Sequence, residues 1–149
     1  GSQTFHKFLR ESLEASSITM SSLCFEITET AVVDNVERSV EFINSIKELG
    51  VKFSLDDFGT GLSSFSYLKQ FPVDYLKIDG IFVKDIKTNP SDYAVVKSIN
   101  EIGHFMGKKT IAEFVEDDEA LEILREIGVD FAQGYGVGKK IPITELLKD

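Results

Sequence analysis

Seven charged residues stand where otherwise apolar stretches end: Glu26, Asp56, Asp57, Lys77, Asp79, Glu113 and Glu116, with Gln133 in a comparable position. Gathered round one mouth, the six acids would make it strongly negative, and Lys77 would offset a single unit. Like charges at the ends of buried strands cost free energy unless they are protonated or a cation holds them. The donor set is oxygen only, with no Cys or His beside it, which points to hard divalent ions such as Mg²⁺, Mn²⁺ or Ca²⁺. A pair of such ions about 3.5–4 Å apart can polarise a phosphoryl oxygen, activate water and stabilise a leaving oxygen. The sharpest form of the problem is VKFSLDDFGTG, residues 51–61, where Asp56 and Asp57 sit side by side at the end of a strand pattern.

That chemistry needs a scaffold that brings distant residues to one rim. Five strand-like stretches are present: LCFEIT (23–28), VKFSLDDF (51–58), VDYLKID (73–79), KTIAEFVE (109–116) and VDFAQGY (129–135). Helical patterns separate them. Val36, Val40, Ile43, Ile46 and Leu49 recur at steps of three and four, with an Asp34–Glu37 capping box before them and Gly50 after. A shorter helix is expected over SSFSYLKQ (63–70) before Pro72. A longer one is expected from about Ser91 to Met106, with Val95, Val96, Ile99, Ile102 and Phe105 inward and Gly107 closing it. Ala120, Leu121, Ile123, Leu124 and Ile127 mark another, closed by Gly128, and Phe5, Phe8, Leu9 and Leu13 mark one ahead of the first strand. Strand–helix alternation implies right-handed crossovers and a parallel α/β sheet. In such sheets the C-terminal strand ends share one rim, where functional loops gather. Glu26, Asp56, Lys77 with Asp79, Glu113 and Gln133 each fall near a different one of those ends.

Composition narrows the function classes. Twenty-five acidic against sixteen basic side chains give a formal charge of −9, which argues against a protein that tracks a nucleic-acid backbone. A small anionic ligand met by bound metal remains compatible. No apolar run reaches the ~18–20 residues of a membrane span. Cys24 lies inside the apolar LCFEI, so it is expected to be a buried free thiol. The GTG of residues 59–61 does not fit a phosphate-binding P-loop, which needs GxxxxGK[ST].

Each motif alone is a modest signal; their ordered set is specific. FEITET, DDFGTG, LKID, IAEFVE and QGY, at these spacings from about Leu23 to Leu147, resemble the EAL domain of cyclic di-GMP phosphodiesterases. The resemblance implies a modified TIM barrel, here partial, with about five parallel strands and intervening helices. It also implies hydrolysis of one phosphodiester of cyclic di-GMP to linear pGpG, with two Mg²⁺ or Mn²⁺ ions as cofactors. By motif position, Glu26 and Asp56 would be metal ligands, with Asp57 beside the second metal. Lys77 would hold the attacking water or phosphate, with Asp79 its neighbour. Glu113 would be the metal-linked acid or base and Gln133 a rim residue near the ligand. Glu29 and Glu116 resemble the pair that braces the DDFGTGLSSFSYL loop, which in this family couples dimerisation to metal binding.

Two departures from the family pattern carry expectations. Phe114 stands where Gly is commoner, next to the carboxylates, so altered packing is expected rather than lost metal. The Glu-Ala-Leu motif and an Asn on the following strand are absent, and with them two metal ligands; a full eight-stranded barrel takes about 250 residues. With Gly1 and Ser2 read as an expression scar, residues 3–149 are therefore expected to be the C-terminal portion of the domain, inactive alone. The β-edges left at LCFEIT and VDFAQGY should drive self-association into a dimer or higher oligomer. The parent is expected to be bacterial and cytoplasmic, with sensor or GGDEF-type domains possible elsewhere. The alternatives are a catalytically silent cyclic di-GMP receptor and a protein-interaction module using the loop after Asp57.

Overall fold

The computed structural model describes residues 2–15, 24–28, 35–58, 65–134 and 141–142. Glu29, Asp34, the loop 59–64, Tyr135 and the side chain of Phe5 lie outside the described residues. The elements in chain order are α1 (Ser2–Glu14), β1 (Cys24–Thr28), α2 (Val36–Lys47), β2 (Lys52–Phe58) and a 3₁₀ helix (Phe65–Gln70). Then come β3 (Tyr75–Ile78), α3 (Gly80–Val83), α4 (Pro90–Phe105), β4 (Lys109–Ala112), α5 (Asp118–Ile127), β5 (Phe131–Ala132) and β6 (Ile141–Pro142).

The strands lie in the order β1-β2-β3-β4-β5-β6. The first five run parallel, as strand–helix alternation requires, and β6 pairs antiparallel with β5 through Phe131–Pro142 and Ala132–Ile141. The expected open edge at VDFAQGY is thereby corrected: β6, two residues long with no periodicity to announce it, covers that side. β1 remains the terminal strand among the described residues.

One face of the sheet makes the core with the helices. Phe53, Leu55, Leu76, Ile78 and Ala112 are fully buried there with Ile43, Ile46, Val96, Leu121 and Leu124 from α2, α4 and α5. Phe53 stacks edge-on against Phe25 of β1 at 5.7 Å and Phe42 of α2 at 6.1 Å between centroids. Phe53→Ala should therefore destabilise the protein by about 3–5 kcal/mol in urea unfolding; a loss below about 1 kcal/mol would mean that the aromatic trio contributes little.

Local signals set the helix ends. Asn35, rather than Asp34, caps α2 by accepting from the Arg38 N–H at 3.1 Å. Asn89 caps α4 ahead of Pro90, and Asp117 caps α5, which closes at Gly128 with φ of +99°. At the N-terminal ends of the strands Asp74 acts as a clip. Its carboxylate accepts from the Phe53 N–H at 2.8 Å and pairs with Lys47 at 3.0 Å, while its carbonyl accepts from the Lys109 N–H.

Three sequence expectations are corrected. Phe105 is 90% exposed, because the buried stripe of α4 runs through Val96, Ile99, Asn100 and Gly103. Gly103 lets the helix approach the sheet closely, since a Cβ there would sit 3.0 Å from Leu76. Phe8 is exposed on α1, whereas Leu9 and Leu13 do pack on the core. Cys24 is exposed; it shares a face of β1 with Glu26 and Thr28, and all three are open to solvent.

Candidate active site

Strand register brings the charged residues to the C-terminal rim. Glu26 lies opposite Ser54, so Glu26, Ser54 and Asp56 share one face of the sheet. Leu55 lies opposite Leu76, which puts Lys77 beside Asp56, and Lys77 lies opposite Ile111, two residues before Glu113.

The adjacent aspartates would point to opposite faces of an unbroken strand. They do not, because β2 is bulged there. Between Leu55–Leu76 and Phe58–Ile78, β2 advances three residues while β3 advances two. Asp57 takes a left-handed backbone, φ +56°. Such bulges re-aim side chains at strand ends. Asp56 thus turns to Lys77, while Asp57 joins a second group of acids.

Lys77 is the hub of the first group. Its Nζ donates to Glu26 Oε1 at 2.6 Å and lies 3.7 Å from Asp56 Oδ2 and 3.6 Å from Glu113 Oε1. The lysine side chain is only 8% exposed, against 53% for Glu26. Burial works to lower the Lys77 pKa, but the Glu26 hydrogen bond and the charges of Asp56, Glu26 and Glu113 outweigh it and raise it. The ammonium is therefore firmly charged. Its hydrogen bond holds Glu26 below the usual carboxylate range. Asp56 is pushed up to about 7, chiefly by burial, with Lys77 opposing and Glu26 adding to the rise. Ser54 Oγ donates to Asp56 Oδ1 at 3.0 Å and fixes its orientation.

The second group is Asp57, Asp79 and Glu113, whose carboxylate oxygens lie within 4.8 Å of one another. Asp79 is steadied by accepting from the Ile81 N–H at 3.0 Å, as the cap of α3. The Glu113 N–H donates to Ile78 O across the sheet. Burial raises the Glu113 pKa; Lys77 opposes this, and the charges of Asp57 and Asp79 add to it. Glu113 belongs to both groups and joins them. Three converging carboxylates with no nitrogen or sulfur donor fit a hard divalent cation.

The structure thus brings together Glu26, Asp56, Asp57, Lys77, Asp79 and Glu113. Gln133 is half-buried just past β5, where its N–H donates to Ala112 O at 2.9 Å. Glu116 is exposed. Ser54 was missed by the sequence reading, although its place two residues before Asp56 put it on the same face. Phe114 was noted only as a departure, and its backbone is also left-handed, φ +56°.

Among the described residues, no helix is long and apolar enough to cross a membrane. The EAL domain family model matches residues 1–140. Cyclic di-GMP phosphodiesterase PdeB of Shewanella oneidensis is 43% identical over 144 residues, 97% of this chain and 17% of that protein. The solved structure described as PaMucR phosphodiesterase in its c-di-GMP complex superposes with a TM-score of 0.81 at 34% identity, over 93% of this chain and 56% of that one. The EAL domain of Mycobacterium smegmatis DcpA does so with a TM-score of 0.83 at 34% identity, over 97% and 64%. The chain therefore spans about a sixth of that curated relative and more than half of the two solved chains. With its parallel, TIM-barrel-like sheet and its acids at the strand ends, the chain belongs to the EAL domain family.

Proposed function

We propose that residues 3–149 are the C-terminal portion of a cyclic di-GMP phosphodiesterase domain that yields linear pGpG in bacterial second-messenger signalling. The observation that carries this reading is the buried ammonium of Lys77, held among Glu26, Asp56 and Glu113 beside the Asp57–Asp79–Glu113 triplet. The names carried by PdeB and PaMucR support the same substrate.

Glu26, Asp56, Asp57 and Glu113 would hold the cations, Mg²⁺ or Mn²⁺ at two sites in the complete domain, with Asp79 converging beside Asp57 and Glu113. Bound there, such ions would supply Lewis-acid polarisation of the phosphoryl oxygens. Lys77 places its positive charge where a water or a phosphate oxygen must be held. Glu113, its carboxyl kept basic by burial, takes the proton as water oxygen bonds to phosphorus and the P–O3′ bond breaks. The departing 3′ oxygen receives that proton back from Glu113 and leaves as a hydroxyl, and the new 5′ phosphate stays on the other nucleotide. Asp79 and Gln133 stand at the substrate side of the rim. The domain acts in the cytoplasm, with sensor or GGDEF-type domains elsewhere in the full-length protein as its input.

The test compares the 149-residue chain with the full-length protein. The full-length protein converts cyclic di-GMP to pGpG with Mg²⁺ or Mn²⁺. The chain alone turns over less than a thousandth as fast, because Glu26 and the β1 edge lie open on one side of the site. An exposed parallel edge invites pairing, so light scattering on the chain alone returns a mass above 16.6 kDa. Full-length protein that binds cyclic di-GMP without cutting it would make this a receptor. Robust turnover by a monomeric 149-residue chain would remove the open-edge argument.

A further inference from the structure

We propose that the ring of Phe114 is a stacking platform for a purine base of the ligand at the mouth of the site, an inference that rests on the cyclic di-GMP reading above. The backbone of Phe114 is left-handed, φ +56°, a conformation that bulky residues rarely adopt and that the surrounding structure must impose. Two hydrogen bonds impose it. The Glu113 N–H donates to Ile78 O at 3.3 Å and the Val115 N–H donates to Gln133 O at 3.2 Å, so the chain is tied to a neighbouring strand on either side of Phe114. A glycine would meet that backbone demand without strain.

Two glycines make room for the phenylalanine. A Cβ built on Gly80 would fall 1.8 Å from Phe114 Cδ2, so the ring fills the space that any other residue at 80 would need. A Cβ on Gly134, itself at φ +101°, would fall 2.9 Å from Phe114 Cα. Despite this cradle Phe114 is 60% exposed and is not among the residues of the hydrophobic core. Core packing therefore does not account for a large aromatic side chain on a strained backbone.

Its position does. Phe114 follows Glu113, and the glycine beneath its ring follows Asp79, so the ring is held one residue from two of the three converging carboxylates. Ile81, the residue after that glycine, is exposed as well. An exposed aromatic ring thus borders a site that fits hard cations. A ligand with an aromatic base a few bonds from its phosphodiester matches both halves, and stacking on an aromatic ring contributes about 5- to 150-fold in affinity per base.

The experiment uses full-length protein and three substitutions. Phe114→Leu keeps an apolar side chain but no aromatic face, and should raise KM for cyclic di-GMP about 5- to 150-fold while kcat changes less than about threefold. Phe114→Trp should keep the wild-type KM, and its indole emission should be quenched by ligand; these 149 residues contain no other Trp. Phe114→Gly should raise KM as Leu does yet raise the thermal midpoint, because the strain is gone. Wild-type KM in Phe114→Leu overturns the role, as does a fall in kcat alone. Loss of a protein partner at unchanged KM overturns it too, and assigns the ring to an interface. Wild-type protein that neither binds nor cuts cyclic di-GMP overturns the functional reading and this role with it. Wild-type binding with an unaffected Phe114→Leu overturns this role alone.

Discussion

Lys77→Ala in the full-length protein should lower kcat about a thousandfold while cyclic di-GMP binding changes less than about fivefold. Removing one preorganised charged donor from a transition-state site typically costs 10²–10³ in rate, and misplacing the attacking water adds to that. Binding survives because the carboxylates that hold the cations, and the walls of the site, remain. The competing view is that Lys77 only balances charge at the strand ends. It has substance: the ammonium is nearly buried and lies within 4 Å of three acids. Under that view the substitution lowers the thermal midpoint and leaves the folded molecules fully active. Under the catalytic view stability falls as well, by about 1–3 kcal/mol for the hydrogen bonds left unmade, but the folded fraction is inert. Circular dichroism and turnover on the same sample separate the two. Lys77→Arg sharpens the distinction, since a planar guanidinium keeps the charge but not the geometry of a compact ammonium. It should restore the midpoint and not the rate. Normal turnover in folded Lys77→Ala would end the catalytic assignment.

How far the site could be read from sequence follows from what sets each position. Glu26, Asp56, Lys77 and Glu113 were legible because strand alternation is a period of two, and a charged residue breaking an apolar run near a strand end is conspicuous. Their convergence followed from parallel topology alone. The β2 bulge was not legible. Strand alternation alone does not show how two adjacent aspartates reach one mouth; that takes the extra residue between Leu55 and Phe58 and the left-handed Asp57. Ser54 stayed hidden because a serine inside a strand makes no local signal, and only its hydrogen bond to Asp56 gives it meaning. Helix α3 was missed for a similar reason: four residues leave no periodicity, and the cap that starts it, Asp79, had already been given another role. Phe105 misled in the opposite direction. Apolar identity at roughly the right spacing suggested the core, but Asn100 and Gly103 carry the buried stripe of α4 past it. Asn100 earns its place through polar contacts, accepting from Thr110 Oγ1 at 2.6 Å and donating to Ile127 O at 3.1 Å. A hydrophobic pattern cannot report burial of that kind.

Glu113→Gln should move the stability of the full-length protein in opposite directions with and without metal. The two shapes are nearly the same, so packing is little changed and charge is the variable. Without metal, Asp57, Asp79 and Glu113 crowd their oxygens within 4.8 Å, and like charges at that separation repel. Removing one should raise the metal-free thermal midpoint by a few degrees, although the contact of Glu113 with Lys77 at 3.6 Å is weakened in exchange. With Mn²⁺ the sign reverses. The wild-type protein gains stability as the ion concentration exceeds its Kd, by about 2.7 kcal/mol at a hundredfold excess. The amide is a neutral and poorer ligand for a hard cation. Loss of groups that merely support a metal ligand costs 10–100-fold in affinity, so loss of the ligand charge itself should cost at least about 100-fold. At the same Mn²⁺ concentration the variant should then show almost no metal-induced rise in midpoint. Calorimetric titration with Mn²⁺, paired with thermal melts of both proteins with and without the ion, reads both signs at once. Equal Mn²⁺ affinity in the two proteins would place the cation elsewhere on the rim and leave Glu113 as an acid or base alone. A metal-free midpoint lower in the variant would show that the pairing of Glu113 with Lys77 outweighs the crowding of the three acids.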